Sequence, residues 1–190
     1  NGTLDGQGHV FKNLKIEEVK ESLPDVTLML NAGADNLIAE YLREEANLRW
    51  ESVDMMMDIS PLSGMNGYAS VHGLQTDTLE LDTIRLNVRQ DSSVIHYQTI
   101  VSNAPDIQKP VFKASLEGEV CDTMGSALLI FHNDKGEKGV DIGVKAMPKR
   151  DGLHLTLFPE HPTIGFRPFT LDEDNYVFLS DSGRIAANIN

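Results

Sequence analysis

Apolar and polar residues alternate with a period of two through most of this chain, the pattern of strands with unlike faces. Phe112, Ala114, Leu116, Gly118 and Val120 alternate with Lys113, Ser115, Glu117 and Glu119. Val140, Ile142, Val144 and Ala146 alternate with Asp141, Gly143 and Lys145. After Lys149-Arg150-Asp151-Gly152, Leu153, Leu155 and Leu157 alternate with His154 and Thr156, so a hairpin is expected at that join. Asn133-Asp134-Lys135-Gly136 reads as another turn, linking the apolar run Ala127–Phe131 to the next strand. From Leu79 onward the spacing of the turns is that of an antiparallel meander.

Two places break the rhythm. The apolar positions Leu79 and Leu81 give way to Ile84, Leu86 and Val88, a one-residue phase slip at Asp82-Thr83 that a β-bulge would reconcile with a single buried face. Prolines in Phe158-Pro159-Glu160-His161-Pro162 and at Arg167-Pro168 remove ladder donors, so an edge, a bulge or a crossing is expected there and not a regular central strand.

In the first third, Gly2–Ile16 reads as turn-rich strand, Val26–Leu30 as a second strand and Trp50–Ile59 as a third. Leu37, Ile38, Tyr41 and Leu42 recur at helical spacing behind Asp35 or Asn36 as N-cap, which predicts one short amphipathic helix over Asn36–Ala46. The predicted fold class is therefore mainly β: an elongated, bent antiparallel sheet with about one short helix. Residues 1–190 read as a single segment of a longer protein, with Pro61–Gly67 as the place for an internal joint; it is too short for a domain linker.

Charge narrows the partners. Sixteen Lys and Arg against 29 Asp and Glu give a formal charge of −13, which opposes phosphate backbones, so nucleic acid is not expected. The single cysteine, Cys121, has no internal disulfide partner and no metal-ligand spacing around it, and reads as a small packed hydrophobe. The chain opens on Asn1-Gly2-Thr3, a glycosylation-type triplet too short to use, and contains no apolar run long enough to cross a bilayer.

Catalytic motifs do not emerge. Asp172-Glu173-Asp174-Asn175 fits no EF-hand calcium spacing and is more simply a solvated turn. His9, His72, His96, His132, His154 and His161 are scattered, with no helical i, i+4 pair. Ser60-Pro61-Leu62-Ser63-Gly64 lacks the strand-turn-helix setting of a nucleophile elbow, and there is no phosphate-cradling glycine loop. The chain is accordingly expected not to be an enzyme and to need no cofactor. Met55-Met56-Met57 reads first as core filler and second as a pliable lipid-contacting surface. Leu4-Asp5-Gly6-Gln7-Gly8-His9 is similar to a turn of parallel β-helix proteins that bind or cleave polysaccharide, but occurs once where such a fold needs a repeat.

A family likeness rests on Leu81-Asp82-Thr83-Ile84-Arg85-Leu86, Arg89-Gln90-Asp91, Leu157-Phe158-Pro159-Glu160-His161-Pro162 and Phe169-Thr170-Leu171-Asp172-Glu173-Asp174-Asn175-Tyr176, with Asn1–Gly6 near the start. In order and spacing these segments resemble the Bacteroidetes form of the TamB (translocation and assembly module) branch of the AsmA-like family. That resemblance implies a β-groove crossing the periplasm of a Gram-negative bacterium, tethered by an N-terminal inner-membrane anchor outside this segment. It also implies a part in phospholipid transport and in protein assembly at the outer membrane, with an outer-membrane β-barrel partner engaged through other regions. Under it, Phe112, Ala114, Leu116, Val140, Ile142, Val144, Leu153, Leu155 and Leu157 are candidates to face phospholipid acyl chains.

Periodicity alone leaves a closed sandwich as open as a trough. It also leaves two other functions: a structural module that recruits a client strand at its sheet edge, and a carbohydrate-binding β-helix.

Overall fold

Each hairpin join read from the sequence becomes a rung-by-rung antiparallel ladder, and the ladders add up to one sheet. The computed structural model describes residues 15–77, 80–103 and 111–189. In chain order the elements are α1 (Ile16–Glu21), β1 (Val26–Gly33), α2 (Leu37–Ala46), β2 (Ser52–Ser60), β3 (Gly64–Gln75), β4 (Glu80–Asp91) and β5 (Val94–Ser102). They continue with β6 (Lys113–Cys121), β7 (Met124–His132), β8 (Lys138–Lys149), β9 (Gly152–Ile164), β10 (Arg167–Pro168), β11 (Tyr176–Ser180) and β12 (Ile185–Asn188).

The twelve strands form a single open antiparallel sheet in which β1 to β9 lie side by side in sequence order, followed by β11 and β12, while β10 folds back onto β9. The fold is an elongated, bent antiparallel sheet, mainly β, with two helices. At roughly 4.8 Å per strand the path from β1 to β12 measures about 48 Å. Among the described residues there is no second sheet to close a sandwich, and the all-antiparallel pairing is not that of a parallel β-helix.

The Lys149–Gly152 hairpin closes as expected, with Lys149 opposite Gly152 across the β8–β9 ladder. Asn133 ties the turn before β8: its Oδ1 accepts from Lys135 N at 3.0 Å and from Glu137 N at 2.9 Å. Pro61–Ser63 is a tight hairpin turn inside the sheet, with Ser60 paired to Gly64.

Helix α2 starts where its cap places it. Asn36 holds an extended backbone and its side chain accepts from Ala39 N at 2.9 Å, satisfying one of the free first-turn donors. Asn47 ends the helix in the left-handed region, and Ala39 is buried beneath it.

Two expectations need correction. Of the strand expected over Gly2–Ile16, most lies outside the described residues, but Ile16 opens a second helix, α1. Its Glu17 and Glu18 favour a helix N-terminus, and Lys15 pairs with Glu18 at 2.7 Å.

The bulge expected at Asp82-Thr83 is absent. The β3–β4 register runs unshifted from Asn66↔Arg89 through His72↔Thr83 to Leu74↔Leu81, so the odd spacing puts Leu81 and Ile84 on opposite faces of β4. The irregularity sits across the ladder, at Gly73, whose φ is +61°.

The real register shifts lie in β7–β8 near Phe131 and in β8–β9, where Asp141 pairs with Thr163 but Gly143 pairs with Phe158. The proline-bearing stretch 159–162 is thus looped out as a bulge inside β9, one of the outcomes its missing donors predict. It is tied down from the other side: Phe169 N donates to Pro162 O at 2.8 Å and Leu171 N to Glu160 O at 2.9 Å.

Candidate functional site

Directly opposed residues in an antiparallel ladder share a face, so the pairing registers sort every strand residue onto one of two surfaces. Along the middle of the sheet one row runs Leu30, Met55, Ala69, Leu86, Thr99, Leu116, Leu129 and Ile142. The adjacent row on the other face runs Asn31, Asp54, Ser70, Arg85, Ile100, Ser115, Ile130 and Asp141. One surface is apolar and the other predominantly polar.

The apolar surface continues beyond this row. Val144, Ala146 and Pro148 on β8 face Leu157, Leu155 and Leu153 on β9. Leu155 and Leu153 then face Val177 and Leu179, which face Ala187 and Ile185 on β12. Along the rows through its middle, from Val26 opposite Ile59 to Ile185, this face carries no charged side chain; toward the end of β4 it ends at Asp82, which shares the face of Ile84. Tyr97, Thr99 and Gln90 are its uncharged polar members. Tyr97 keeps its hydroxyl bonded by lying across Gly118, the residue opposite it, to donate to Ser126 O at 2.8 Å. A Cβ at Gly118 would stand 1.9 Å from that carbonyl oxygen, so glycine is what leaves room for the ring. Burial pushes the Tyr97 phenol above its usual value of 10.0.

No layer covers this face among the described residues. Leu28, Leu30, Leu86, Leu116 and Leu129 are 38–47% exposed. The buried apolar side chains are Ile16, Ala39, Leu81 and Pro162, which belong to the helices, the end of β4 and the β9 bulge, not to the middle of the sheet. At one end of β6–β8 the surface carries an aromatic cluster: Phe112 stacks on Phe131 with ring centroids 5.9 Å apart, and Phe131 meets Phe166 edge-on at 6.5 Å.

Eight of the nine sequence candidates, Ala114, Leu116, Val140, Ile142, Val144, Leu153, Leu155 and Leu157, lie on this one surface, and Phe112 joins it through its stack on Phe131. Sequence reasoning left out much of the other half of the surface, Leu28, Leu30, Val71, Leu86 and Val88 on β1–β4 with Leu129, Val177 and Leu179, and gave Met55 and Met57 a lipid-contacting role only as a second reading. The signal was present in Val53, Met55, Met57 and Ile59, which alternate like the later strands. Of the methionine run, Met55 and Met57 join the apolar surface and Met56 points the other way, beside Tyr68.

The opposite face offers polar contacts and a depression of about 410 Å³ walled by Asn87, Gln98, Glu117, Leu128 and Phe158. There Gln98 donates to Glu117 at 3.0 Å and His96 approaches Glu119 at 3.6 Å. The remaining described histidines are dispersed: His72 sits beside Thr83, His132 lies opposite Lys113, His154 stacks on Tyr176, and His161 is exposed beside Glu160. Among the described residues no three His, Cys, Asp or Glu side chains come together as a metal site.

The acidic stretch before β11 is an exposed turn, except for Asn175. That side chain, 6% exposed, accepts from Leu157 N at 2.8 Å and donates to Leu157 O at 3.2 Å and to Asp172 O at 2.8 Å. It supplies a side-chain rung to the edge of β9 just where β11 begins, a structural role that its acidic neighbours conceal in the sequence.

No helix among the described residues is long and apolar enough to cross a membrane. No protein-family model, curated protein or solved structure matches this chain.

Proposed function

We propose that this chain is a length of lipid-conducting sheet, its apolar face forming the inside of a groove along which phospholipid acyl chains are carried. The observation that carries the reading is an apolar surface, uncharged along its middle rows, continuous from β1 to β12 and without a covering layer among the described residues. A contiguous apolar surface of that extent is unfavourable in water and calls for an apolar guest.

Acyl chains fit the shape of the demand. Each methylene removed from water contributes about 0.8 kcal/mol, whichever part of the surface it rests on. Rows of similar aliphatic side chains, repeated strand after strand, offer many nearly equal resting places and no deep pocket. Such a surface favours passage along the sheet over storage at one spot, and leaves a charged headgroup in solvent at the rim.

The resemblance to the TamB branch supplies the setting: the periplasm of a Gram-negative bacterium, an inner-membrane tether and an outer-membrane β-barrel partner, both reached through parts of the protein outside this segment. In that setting the segment is a stretch of track between two membranes, contributing to phospholipid delivery and protein assembly at the outer membrane without catalysing a reaction. Native mass spectrometry on the chain purified without detergent tests this directly. Retained phospholipid is the expected result, and a lipid-free chain that also fails to take up added phospholipid would overturn the proposal.

A further inference from the structure

The turn between β9 and β10 holds a residue that turn chemistry alone would not choose. Gly165 and Phe166 have φ of +59° and +65°, the left-handed conformation that a two-residue hairpin turn requires and that glycine and asparagine adopt most readily. Phenylalanine is strained there, and such strain persists where the surrounding structure holds it for another purpose. Its ring lies over Gly139: a Cβ at that position would stand 2.8 Å from Phe166 Cζ and 2.9 Å from Phe131 Cδ1. A strained turn and a missing side chain on β8 together seat a half-exposed ring at the end of the apolar surface, edge-on to Phe131.

The residue after that ring is a cation of the same face. Arg167 pairs with Ile164, and Ile164 with Val140, so Arg167 belongs to the apolar face, exposed at its rim. From Ile164 the row crosses the sheet through Val140, Phe131, Ala114, Val101 and Ile84 without a polar side chain. Its five strand spacings measure about 24 Å, enough for an acyl chain, which takes up about 15 Å of one bilayer leaflet. The two ends differ in charge: beyond Ile84 the face ends at Asp82, whereas beyond Ile164 it ends at Arg167. Asp141, opposite Thr163 on the neighbouring rung, lies on the other face and is engaged by Lys138.

Resting on the groove reading, we infer that Arg167 and Phe166 form a headgroup station, in which the guanidinium donates to the phosphodiester oxygens of a phospholipid whose acyl chain lies along the row from Ile164 toward Ile84. A guanidinium suits this role because its fixed fork of N–H donors matches two oxygens of one phosphate. The Phe112, Phe131 and Phe166 rings cover the first methylenes below the glycerol. Charge sets the direction of the lipid, since a phosphate at the β4 end would meet Asp82. On a chain of net charge −13, a cation at the apolar rim singles out one place for an anion.

Native mass spectrometry tests it on the 190-residue chain, purified without detergent and mixed with a dispersion of dioleoylphosphatidylglycerol and dioleoylglycerol in equal amounts. The two lipids share their acyl chains and differ in the phosphate-bearing headgroup. Phosphatidylglycerol should be retained about fivefold over dioleoylglycerol, the scale of one charge-assisted contact in a partly exposed site. Arg167→Gln should bring the two to equal retention, while Lys113→Gln, next to Phe112 but on the opposite face, should leave the preference unchanged. Phe166→Gly, which suits the turn, should keep the circular dichroism spectrum and lower phosphatidylglycerol retention severalfold. Inorganic phosphate, with no acyl chain to lay on the row, should not displace the lipid. No preference in the unaltered chain, a preference indifferent to Arg167→Gln, equal loss with Lys113→Gln, full retention in Phe166→Gly, or displacement by inorganic phosphate would each overturn the inference. Equal uptake of both lipids would leave the groove reading standing, whereas uptake of neither would remove both.

Discussion

Replacing Leu116 with aspartate separates an open apolar face from a sealed core by the size of its effect. Leu116 lies in the middle row between Thr99 and Leu129, 40% exposed. Burying a whole leucine contributes about 1.5–3 kcal/mol, so the part that is covered here contributes about 1–2 kcal/mol. The carboxylate that replaces it reaches water across the open side, and the penalty of several kcal/mol for an unpaired buried charge does not arise. Leu116→Asp should therefore lower stability by about 1–2 kcal/mol in urea unfolding, with an unchanged m-value and far-ultraviolet spectrum. Retained phospholipid should fall severalfold in native mass spectrometry, because a charge now stands in the track. A loss above about 4 kcal/mol, or a chain that no longer folds, would show that Leu116 sits in a dry interior and would refute the open-face reasoning.

Other substitutions probe single links of the fold. Asn175→Ala strips Leu157 of both its side-chain partners in a buried position and should cost about 2–4 kcal/mol in urea unfolding, far more than Asp174→Ala in the exposed turn. Gly118→Ala should destabilise by more than 1 kcal/mol, since the added methyl meets Ser126 O and the Tyr97 hydroxyl; Gly125→Ala, with nothing within 4 Å of its Cβ, should be near neutral by the same thermal-melt comparison. Asn36→Ala removes the α2 cap and should cost about 1 kcal/mol, read as faster hydrogen exchange in Leu37–Ala46. Because burial raises the Tyr97 pKa in the folded chain, the contribution of the neutral phenol is complete below the unfolded value near 10 and is lost as pH rises through the folded one. Tyr97→Phe should flatten that alkaline decline in stability.

Much of the architecture was legible because a period of two leaves little freedom: Val140, Ile142 and Val144 cannot share a face with Asp141 and Lys145 in any strand. The α2 cap was legible for a similar reason, since Asn36 is a side chain whose oxygen reaches a first-turn donor. What escaped was set by neighbours across the ladder and not by local sequence. The phase change between Leu81 and Ile84 is read from β4 as a bulge, yet the distortion lies in β3 at Gly73 and the two leucine-rich phases simply serve different faces. Helix α1 escaped because six residues are too few to display a helical period; its Ile16 N–H is instead held by Asp122 at 2.6 Å, a contact between residues 106 positions apart. Asn175 was hidden among acidic residues whose exposure its own burial does not share. For the candidate site, alternation identified which side chains belong together but carried no information on whether a second layer covered them. That depended on the topology, in which every strand from β1 to β9 pairs with its sequence neighbours and, among the described residues, none remains to build a lid.

Whether guests occupy the apolar face is tested most directly by site-specific photocrosslinking in cells that make the chain, with the probe placed in turn at Ile142, Leu155 and Lys145. Ile142 and Leu155 lie on the apolar surface, while Lys145 projects from the opposite side of the same sheet, beside Thr156. Phospholipid adducts at the first two positions and few at Lys145 are the expected result. Equal capture at all three, or no lipid at any, would contradict the account.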